Sequence, residues 1–195
     1  MVTKQACIKC RKINALVNLP HIKNVCSSCF TEIIEKRIRR YVRINKIFRK
    51  NDRILVSDDL SFFLVNSIIK DLPAHIFLKS MNIDDLSKSS VKRSIKKDKI
   101  NKILIPWTID DEANLFLNNL FSGRNKRLDK RYIKLLITIT DKEAGLFSKI
   151  NDIDFKENKK NEEIKKMLDM LEQKYPETKF SLSRSIGQME KILRK

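Results

Sequence analysis

Four cysteines near the start of the chain have the spacing of metal ligands. Cys7 and Cys10 form one C-x2-C pair, and Cys26 and Cys29 form a second pair after a spacer of fifteen residues. Two thiolates in such a tight turn can both reach one Zn²⁺ ion at about 2.3 Å, and two turns close a tetrahedral site. Because that site leaves no position open for a substrate, the spacing predicts a structural zinc knuckle rather than a catalytic metal.

Sequence alone also allows two other states of these cysteines. They could form two disulfides or remain unligated thiols, although a reducing compartment disfavours disulfides. His21 lies close to the second pair and is a further candidate ligand. Because four thiolates already saturate one zinc ion, we expect a surface or packing role for His21.

Composition limits the classes of function that the chain can have. Its 195 residues suffice for one domain with a real core, and 42 Lys and Arg against 24 Asp and Glu leave a net charge of +18. This charge predicts a polyanionic partner such as nucleic acid. Only three glycines are present, and no two of them are close in sequence. Walker loops, dinucleotide fingerprints and nucleophile elbows need clustered glycines and are therefore excluded.

Hydropathy gives no indication of a membrane partner. No apolar run reaches the roughly 18 residues of a membrane span. Residues 1–10 lack the apolar region of a secretory signal. We therefore expect a cytoplasmic protein.

A basic helix is predicted directly after the second cysteine pair. Thr31 is a plausible N-cap, and the helix should continue to about Phe48 with one apolar stripe. Its other faces carry lysine and arginine with few acids, so we predict contact with the RNA backbone; a merely solvated basic face is the alternative. The candidate RNA-binding residues are Lys9, Arg11, Lys12, Lys36, Arg37, Arg39, Arg40, Arg43, Lys46, Arg49 and Lys50.

Strand-like and helix-like segments alternate through the rest of the chain. Strands are predicted at 53–57, 74–78, 102–105 and 132–139, and helices at 60–70, 112–121, 141–148, 164–171 and 181–193. Capping residues support two of the helices, with Thr108 and Thr140 at their starts and Gly123 after the first. The polar segment 80–99 is expected to be a mobile connection, and 154–161 a loop. This alternation predicts an α/β domain with a parallel sheet.

An apolar stripe marks the predicted helix at 164–171. Ile164, Met167, Leu168 and Leu171 lie at helical spacing. The stripe should pack on the chain's own sheet, with docking of a partner as the alternative.

The order of these features resembles the tRNA 2-thiolation branch of the PP-loop ATP-pyrophosphatase superfamily, and within it the non-catalytic partner subunit. The matching segments are 26–30, 54–57, 110–113 with 117–120, and 175–181. The resemblance implies a PP-loop-like (adenine nucleotide alpha hydrolase-like) α/β domain preceded by a small zinc-knuckle module. The implied divisions are a four-cysteine module at 1–30, a basic linking helix at 31–52, and a degenerate PP-loop domain with C-terminal helices at 53–195.

The nucleotide loop departs most clearly from this family. Active members carry S-G-G-x-D-S after the first strand, and this chain has Ser57, Asp58, Asp59, Leu60 and Ser61 there. Two carboxylates replace the glycines, and close like charges oppose phosphate binding by several kcal/mol. We expect both aspartates to cap the following helix, with metal binding as the alternative. No ATP binding is expected.

Other catalytic features of the family are also missing. Pro106, Trp107 and Thr108 replace a glycine-histidine-asparagine turn, so Asp110, Asp111 and Glu112 are expected to be first-turn acids of a packed helix. No cysteine follows Cys29, so the α/β domain has no thiolate nucleophile or cluster ligand. The second zinc module of single-chain thiolases is absent too.

The resemblance and its departures together predict a non-catalytic, zinc-containing subunit that binds tRNA. It would support wobble-uridine 2-thiolation by a catalytic PP-loop tRNA thiolase. Two alternatives stay open, namely a divergent ATP-dependent tRNA-modifying enzyme and a freestanding zinc-ribbon RNA-binding protein. ATP binding would favour the first alternative, and RNA affinity without a thiolase partner would favour the second.

Overall fold

Two strands, a long helix and then an α/β domain follow one another along the chain. The computed structural model describes residues 6–13, 16–124, 128–129 and 131–192. The strands are β1 (Leu16–Leu19), β2 (Ile22–Cys26), β3 (Arg53–Val56), β4 (His75–Leu78), β5 (Lys102–Ile105) and β6 (Tyr132–Lys134). The helices are α1 (Ser27–Ile44), α2 (Asp59–Ile68), α3 (Ser89–Lys97), α4 (Ile109–Ser122), α5 (Asp141–Ile150), α6 (Glu162–Lys174) and α7 (Thr178–Ile192), with a 3-10 turn at Ile83–Ser87. Leu193, the predicted end of the last helix, lies outside the described residues.

The α/β domain contains a four-stranded parallel sheet, as predicted. Its strand order is β4-β3-β5-β6, so β4 and β5 lie on opposite sides of β3. In open parallel sheets, ligands bind at the carboxyl ends of the strands where the strand order reverses. That position lies between β3 and β5, where Ser57 and Pro106 follow the two strands.

Helices cover both faces of the sheet because successive strand side chains point to opposite sides. Ile54, Val56 and Leu104 pack with the core that α1, α2 and α5 form on one face. Leu55, Ile103 and Ile105 face the other way and pack with α3. Strands buried on both sides explain the continuous apolar runs in the sequence.

Segment 80–99 is not the mobile connection that its polarity predicts. It forms the 3-10 turn at Ile83–Ser87 and then α3. Val91 and Ile95 lie one helical turn apart and are buried against the sheet together with Leu86. Met81 and Ile83 pack beside them, and these few apolar side chains are spread along the sequence among polar and charged residues.

The ends of two further elements differ from prediction. Helix α1 begins at Ser27 and ends at Ile44, so Thr31 is not its N-cap. This earlier start places Cys26 at the N-cap and Cys29 in the first turn, so both cysteines of the second pair lie at the start of the helix. Strand β6 ends at Lys134, since Leu135 and Leu136 turn into the core instead of extending the ladder.

The spacer between the two cysteine pairs forms an antiparallel hairpin, β1–β2, where no strand is predicted from the sequence.

The capping predictions for α4 and α5 are confirmed. Thr108 and Thr140 each form a capping box, and Gly123 ends α4 with a φ of 64°.

None of the helices within the described ranges has the length and apolar character of a membrane span.

The C-terminal helices pack on α4 and on each other. Ile164 and Leu168 are buried against Ala113 of α4, with Leu182 of α7 beside them. The prediction that this stripe packs on the sheet is therefore wrong. Leu171, the last stripe residue, is 39 % exposed.

Candidate functional site

The four cysteines converge between the hairpin and the start of α1. Cys7 and Cys10 lie in the turn before the hairpin, Cys26 ends β2, and Cys29 lies in the first turn of α1. Their sulfur atoms all lie within 4.8 Å of one another. The Sγ atoms of Cys10 and Cys26 are 3.6 Å apart, far longer than the roughly 2.05 Å of a disulfide. All four are free thiols.

This donor set fits one tetrahedral ion. At a Zn–S distance of about 2.3 Å, the edge of a four-thiolate tetrahedron is about 3.8 Å. A four-iron cluster binds each thiolate to a different iron and so holds the sulfurs farther apart. The backbone N–H of Cys26 donates to the Sγ of Cys7 at 3.3 Å, and such amides lower the pKa of Cys7 to about 6. Burial raises the pKa of Cys29 to about 12, and an ion would reverse that effect.

His21 packs against the α/β domain, as predicted. Its Nε2 lies 2.8 Å from Oε1 of Glu143, which is fully buried at the start of α5. Arg37 of α1 donates to both oxygens of the same carboxylate, at 2.8 and 3.0 Å. The ring of Phe180 contacts both partners, edge-on to His21 and beneath the Arg37 guanidinium. These contacts join the cysteine module to α5 and α7, and they turn Arg37 inward.

The predicted nucleotide loop is a short turn. Ser57 and Asp58 are the only residues between β3 and α2. Oδ1 of Asp58 accepts the backbone N–H of Ser61 at 2.7 Å, so the predicted cap is confirmed for Asp58. The hydroxyl of Ser57 donates to the carbonyl of Leu104 at 3.0 Å. Asp59 is exposed in the first helical turn, and Leu60 and Ser61 are fully buried behind it.

This turn is poorly suited to an anion. A phosphate cradle needs several consecutive free backbone amides, which glycines usually provide. Here the carboxylate of Asp58 takes the first-turn amide of Ser61. Burial raises the pKa of Asp58 to about 6, so at neutral pH the group places a negative charge at this position.

A buried network of acids and lysines lies at the start of α4, which follows the strand next to β3. Lys160 pairs with Asp111 at 2.7 Å and with Asp141 at 2.9 Å, and all three side chains are at most 7 % exposed. Lys179 pairs with Asp110 at 2.6 Å. Burial by itself lowers the pKa of Lys160, but the two carboxylates outweigh it and raise the pKa above its ordinary value. Burial raises the pKa of Asp141 to about 6.

The network fixes the C-terminal segment over the carboxyl end of β5. The side-chain amide of Asn158 donates to the carbonyl of Pro106 and, at 2.9 Å, to Asp111. The acids at the start of α4 are therefore satisfied by cations and amides of the chain itself. The sequence indicates these acids by their position at a helix start, but it does not indicate Lys160 or Lys179. Nothing in a basic chain distinguishes two buried lysines from exposed ones.

Most of the candidate RNA-binding residues form a basic surface along α1. Some are balanced by acids of the same helix, since Lys9 and Lys36 pair with Glu32, and Arg39 pairs with Glu35. Among the described residues, no acid pairs with the cations farther along. Those cations are Arg40, Arg43, Lys46, Arg49 and Lys50, all of them exposed. Arg11 and Lys12 are exposed at the cysteine end, so the surface extends from the four cysteines to the start of β3.

Comparison with known proteins shows a similarity of fold to solved structures. No protein-family model matches the chain, and no curated protein matches it. Among solved structures, the U34-tRNA thiolase NcsA from Methanococcus maripaludis, with its [4Fe-4S] cluster, matches with a TM-score of 0.73. The match covers 97 % of this chain and 89 % of that chain at 17 % sequence identity. The chain has the PP-loop-like α/β fold. A four-cysteine module precedes that domain, as predicted.

Proposed function

We propose that the chain is a non-catalytic tRNA-binding subunit that supports 2-thiolation of the wobble uridine by a separate catalytic PP-loop thiolase. Two observations taken together carry this proposal, namely the shared fold and the form of the turn at the nucleotide loop. The chain shares its fold over 97 % of its length with a U34-tRNA thiolase. At the position of the nucleotide loop it has a two-residue turn capped by Asp58.

Three features of the α/β domain support the absence of catalysis. The turn after β3 presents a carboxylate rather than a phosphate cradle. All four cysteines belong to the first thirty residues, so the domain supplies no thiolate for sulfur transfer or for a cluster. Asp111 already binds Lys160 and Asn158, which leaves it no free role toward a substrate.

The four cysteines would hold one structural Zn²⁺. When bound, the ion would cross-link the hairpin to the start of α1 and so add stability to a module with a small core. Cys26 and Cys29 flank the first residues of α1, which ties the position of the basic helix to the metal site. The tRNA would contact this helix through its phosphates, because clustered lysine and arginine supply phosphate contacts rather than base readout.

The partnership is tested by co-expression with the cognate thiolase. We expect the two chains to elute together in size-exclusion chromatography, and cells lacking this chain to lose 2-thiouridine from their tRNA. Separate elution together with normal thiolation would overturn the proposal and favour a freestanding RNA-binding protein. Calorimetry with Mg-ATP should give no binding, and micromolar affinity would instead favour a divergent enzyme.

The RNA contact is tested by charge reversal on α1. Arg40→Glu with Arg43→Glu should weaken binding of a tRNA transcript and make its salt dependence shallower, since each lost phosphate contact removes about 0.7 to 0.9 from the slope. Lys159→Glu with Lys166→Glu is the matched control, because both lysines are exposed in the C-terminal region and the change in net charge is the same. An equal effect of the two pairs would show that only net charge matters.

A further inference from the structure

Helix α3 presents a second basic surface that sequence analysis did not assign to any function. Val91 and Ile95 face the sheet, and the exposed residues of the helix are two serines in its first turn followed by four cations. Those cations are Lys92, Arg93, Lys96, Lys97 and, just beyond the helix, Lys99. Within the described part of the chain, no ion pair joins any of them to an acid, and Lys92 has a charge interaction with Asp129, which is itself paired with Arg131. Unpaired cations on one helix face are available for an external anion.

The ends of α1 and α3 reach the same edge of the sheet. The chain enters β3 after α1 and enters β5 after α3, and these two strands are parallel neighbours. The backbone N–H of Arg53 donates to the side chain of Asn101 at 3.0 Å, and the N–H of Asn101 donates back to the carbonyl of Arg53 at 3.0 Å. The basic segments 46–50 and 96–99 therefore flank one edge, which is the N-terminal edge of the sheet.

A groove at this edge has the shape and chemistry for a nucleic-acid strand. It has a volume of about 620 Å³ between the end of α1 and strands β5 and β6. Lys46, Arg49 and Lys50 line it together with the half-buried rings of Tyr41 and Tyr132. Cations that follow a backbone and aromatic rings that accept stacked bases are the two elements of single-strand recognition.

The acids near this edge do not neutralise it. Asp52 is buried and paired with Lys102. Asp71 lines a neighbouring groove together with Arg43, and Asp98 is half-buried at the end of α3. Strand β3 has four residues and rises about 3.3 Å per residue, so this edge lies about 13 Å from the turn that replaces the nucleotide loop.

We propose that the N-terminal edge of the sheet, from Arg49 across to Lys99, is a binding surface for an RNA strand. This inference rests on the proposed function in that the strand belongs to the tRNA. It adds α3 to the contact and places the RNA at the edge opposite the degenerate loop. A lipid surface is a poorer fit, because Lys46, Arg49 and Lys50 line a concave groove rather than a flat face.

The test is charge reversal on α3, with the same control pair as for α1. Lys96→Glu with Lys97→Glu should weaken binding of a tRNA transcript about tenfold at low salt and lower the salt slope by about 1.4 to 1.8, as two lost phosphate contacts require. Lys159→Glu with Lys166→Glu should change both quantities much less. Circular dichroism of each variant, and the milder pair Lys96→Ala with Lys97→Ala, separate lost contacts from lost folding.

The outcomes distinguish this surface from the proposed function. Equal binding by the α3 and control pairs would overturn the α3 surface and leave the thiolation role standing. If RNA binding depends on α3 but cells lacking this chain keep normal 2-thiouridine, the α3 surface is supported and the thiolation role is overturned. Vesicles containing phosphatidylserine are the second probe. If the α3 pair abolishes vesicle binding but leaves RNA binding unchanged, the partner is a membrane and the inference is wrong.

Discussion

Replacing Asp58 by asparagine is expected to stabilise the protein at neutral pH. Oδ1 of Asp58 caps α2 by accepting the N–H of Ser61 at 2.7 Å, and asparagine caps helices as well as aspartate does. Oδ2 is buried, and no described residue provides it with a hydrogen bond. The adjacent hydroxyl of Ser61 is also buried without a partner there, so it offers an acceptor to the new amide. The substitution keeps the cap and removes a buried charge.

The magnitude follows from the pKa of the carboxyl. Burial raises the pKa of Asp58 from 3.8 to about 6. One pKa unit corresponds to about 1.4 kcal/mol, so ionising this group in the folded protein costs about 3 kcal/mol of stability at neutral pH. Losing the attraction between the charge and the N-terminus of α2 offsets about 0.5 kcal/mol. The net gain of about 2 to 2.5 kcal/mol should raise Tm by about 4 to 10 °C.

The stability gained by Asp58→Asn should depend on pH in a definite direction. Because the folded-state pKa lies above the unfolded one, the stability associated with Asp58 is complete below a pH of about 3.8 and is lost as the pH rises through about 6. The advantage of Asp58→Asn should therefore grow with pH. By the linkage relation, about half of it is present at pH 5 and nearly all of it at pH 7.5.

Urea unfolding followed by circular dichroism measures this difference at both pH values. Asp59→Asn is the matched control, since Asp59 is the exposed neighbour in the same turn and should change stability by less than about 0.5 kcal/mol. A variant less stable than the wild type at pH 7.5, or a gain that does not change with pH, would refute the reasoning.

Three further predictions concern the metal ligands and the buried charges. Elemental analysis should give about one zinc per folded chain, and Cys26→Ser should lose that zinc together with the stability of the N-terminal module. Glu143→Ala should destabilise the protein by about 3 to 5 kcal/mol, because it leaves the half-buried Arg37 and the buried His21 without their carboxylate partner, whereas Glu32→Ala removes only exposed pairs and should cost much less. Lys160→Met should cost about 3 to 5 kcal/mol at neutral pH, because its two buried carboxylate partners lose their counter-charge.

Each of these predictions has an outcome that contradicts it. A folded wild-type chain without metal would exclude a structural zinc site. Equal shifts of the urea midpoint in the two glutamate variants would show that burial of Glu143 has no energetic consequence. A stability of Lys160→Met equal to that of the wild type would mean that the acids it contacts are already neutral.

Local sequence signals predict the positions of the four strands of the parallel sheet, the capping boxes of α4 and α5, and the cysteine site, but not the hairpin. The spacing of the four cysteines predicts a four-thiolate site because ligand geometry is set within each tight turn. Thr108, Thr140 and Gly123 fix helix ends by contacts with residues three or four positions away, so the sequence contains both partners. Strand β5 at Lys102–Ile105 was predicted to the residue because it is an unbroken apolar run between polar segments.

Tertiary structure alone decided which charges are inside. Lys160 and Lys179 look like any other lysines of a chain with 42 basic residues, and they are buried only because α4, α5 and α6 bring acids around them. Arg37 belongs to the same basic helix as Arg40, yet the arrival of Glu143, 106 residues later, turns it inward. Burial of a charge depends on distant partners, and no local pattern encodes them.

The same reason explains α3. Its cations dominate the local composition, and the sequence predicted a connection without fixed structure. Val91 and Ile95 are buried only because they pack against Leu55 and Ile103 of the sheet. Helix formation in such a polar segment comes from tertiary packing of a narrow apolar face, so its place in the fold could be seen only once the sheet was assembled.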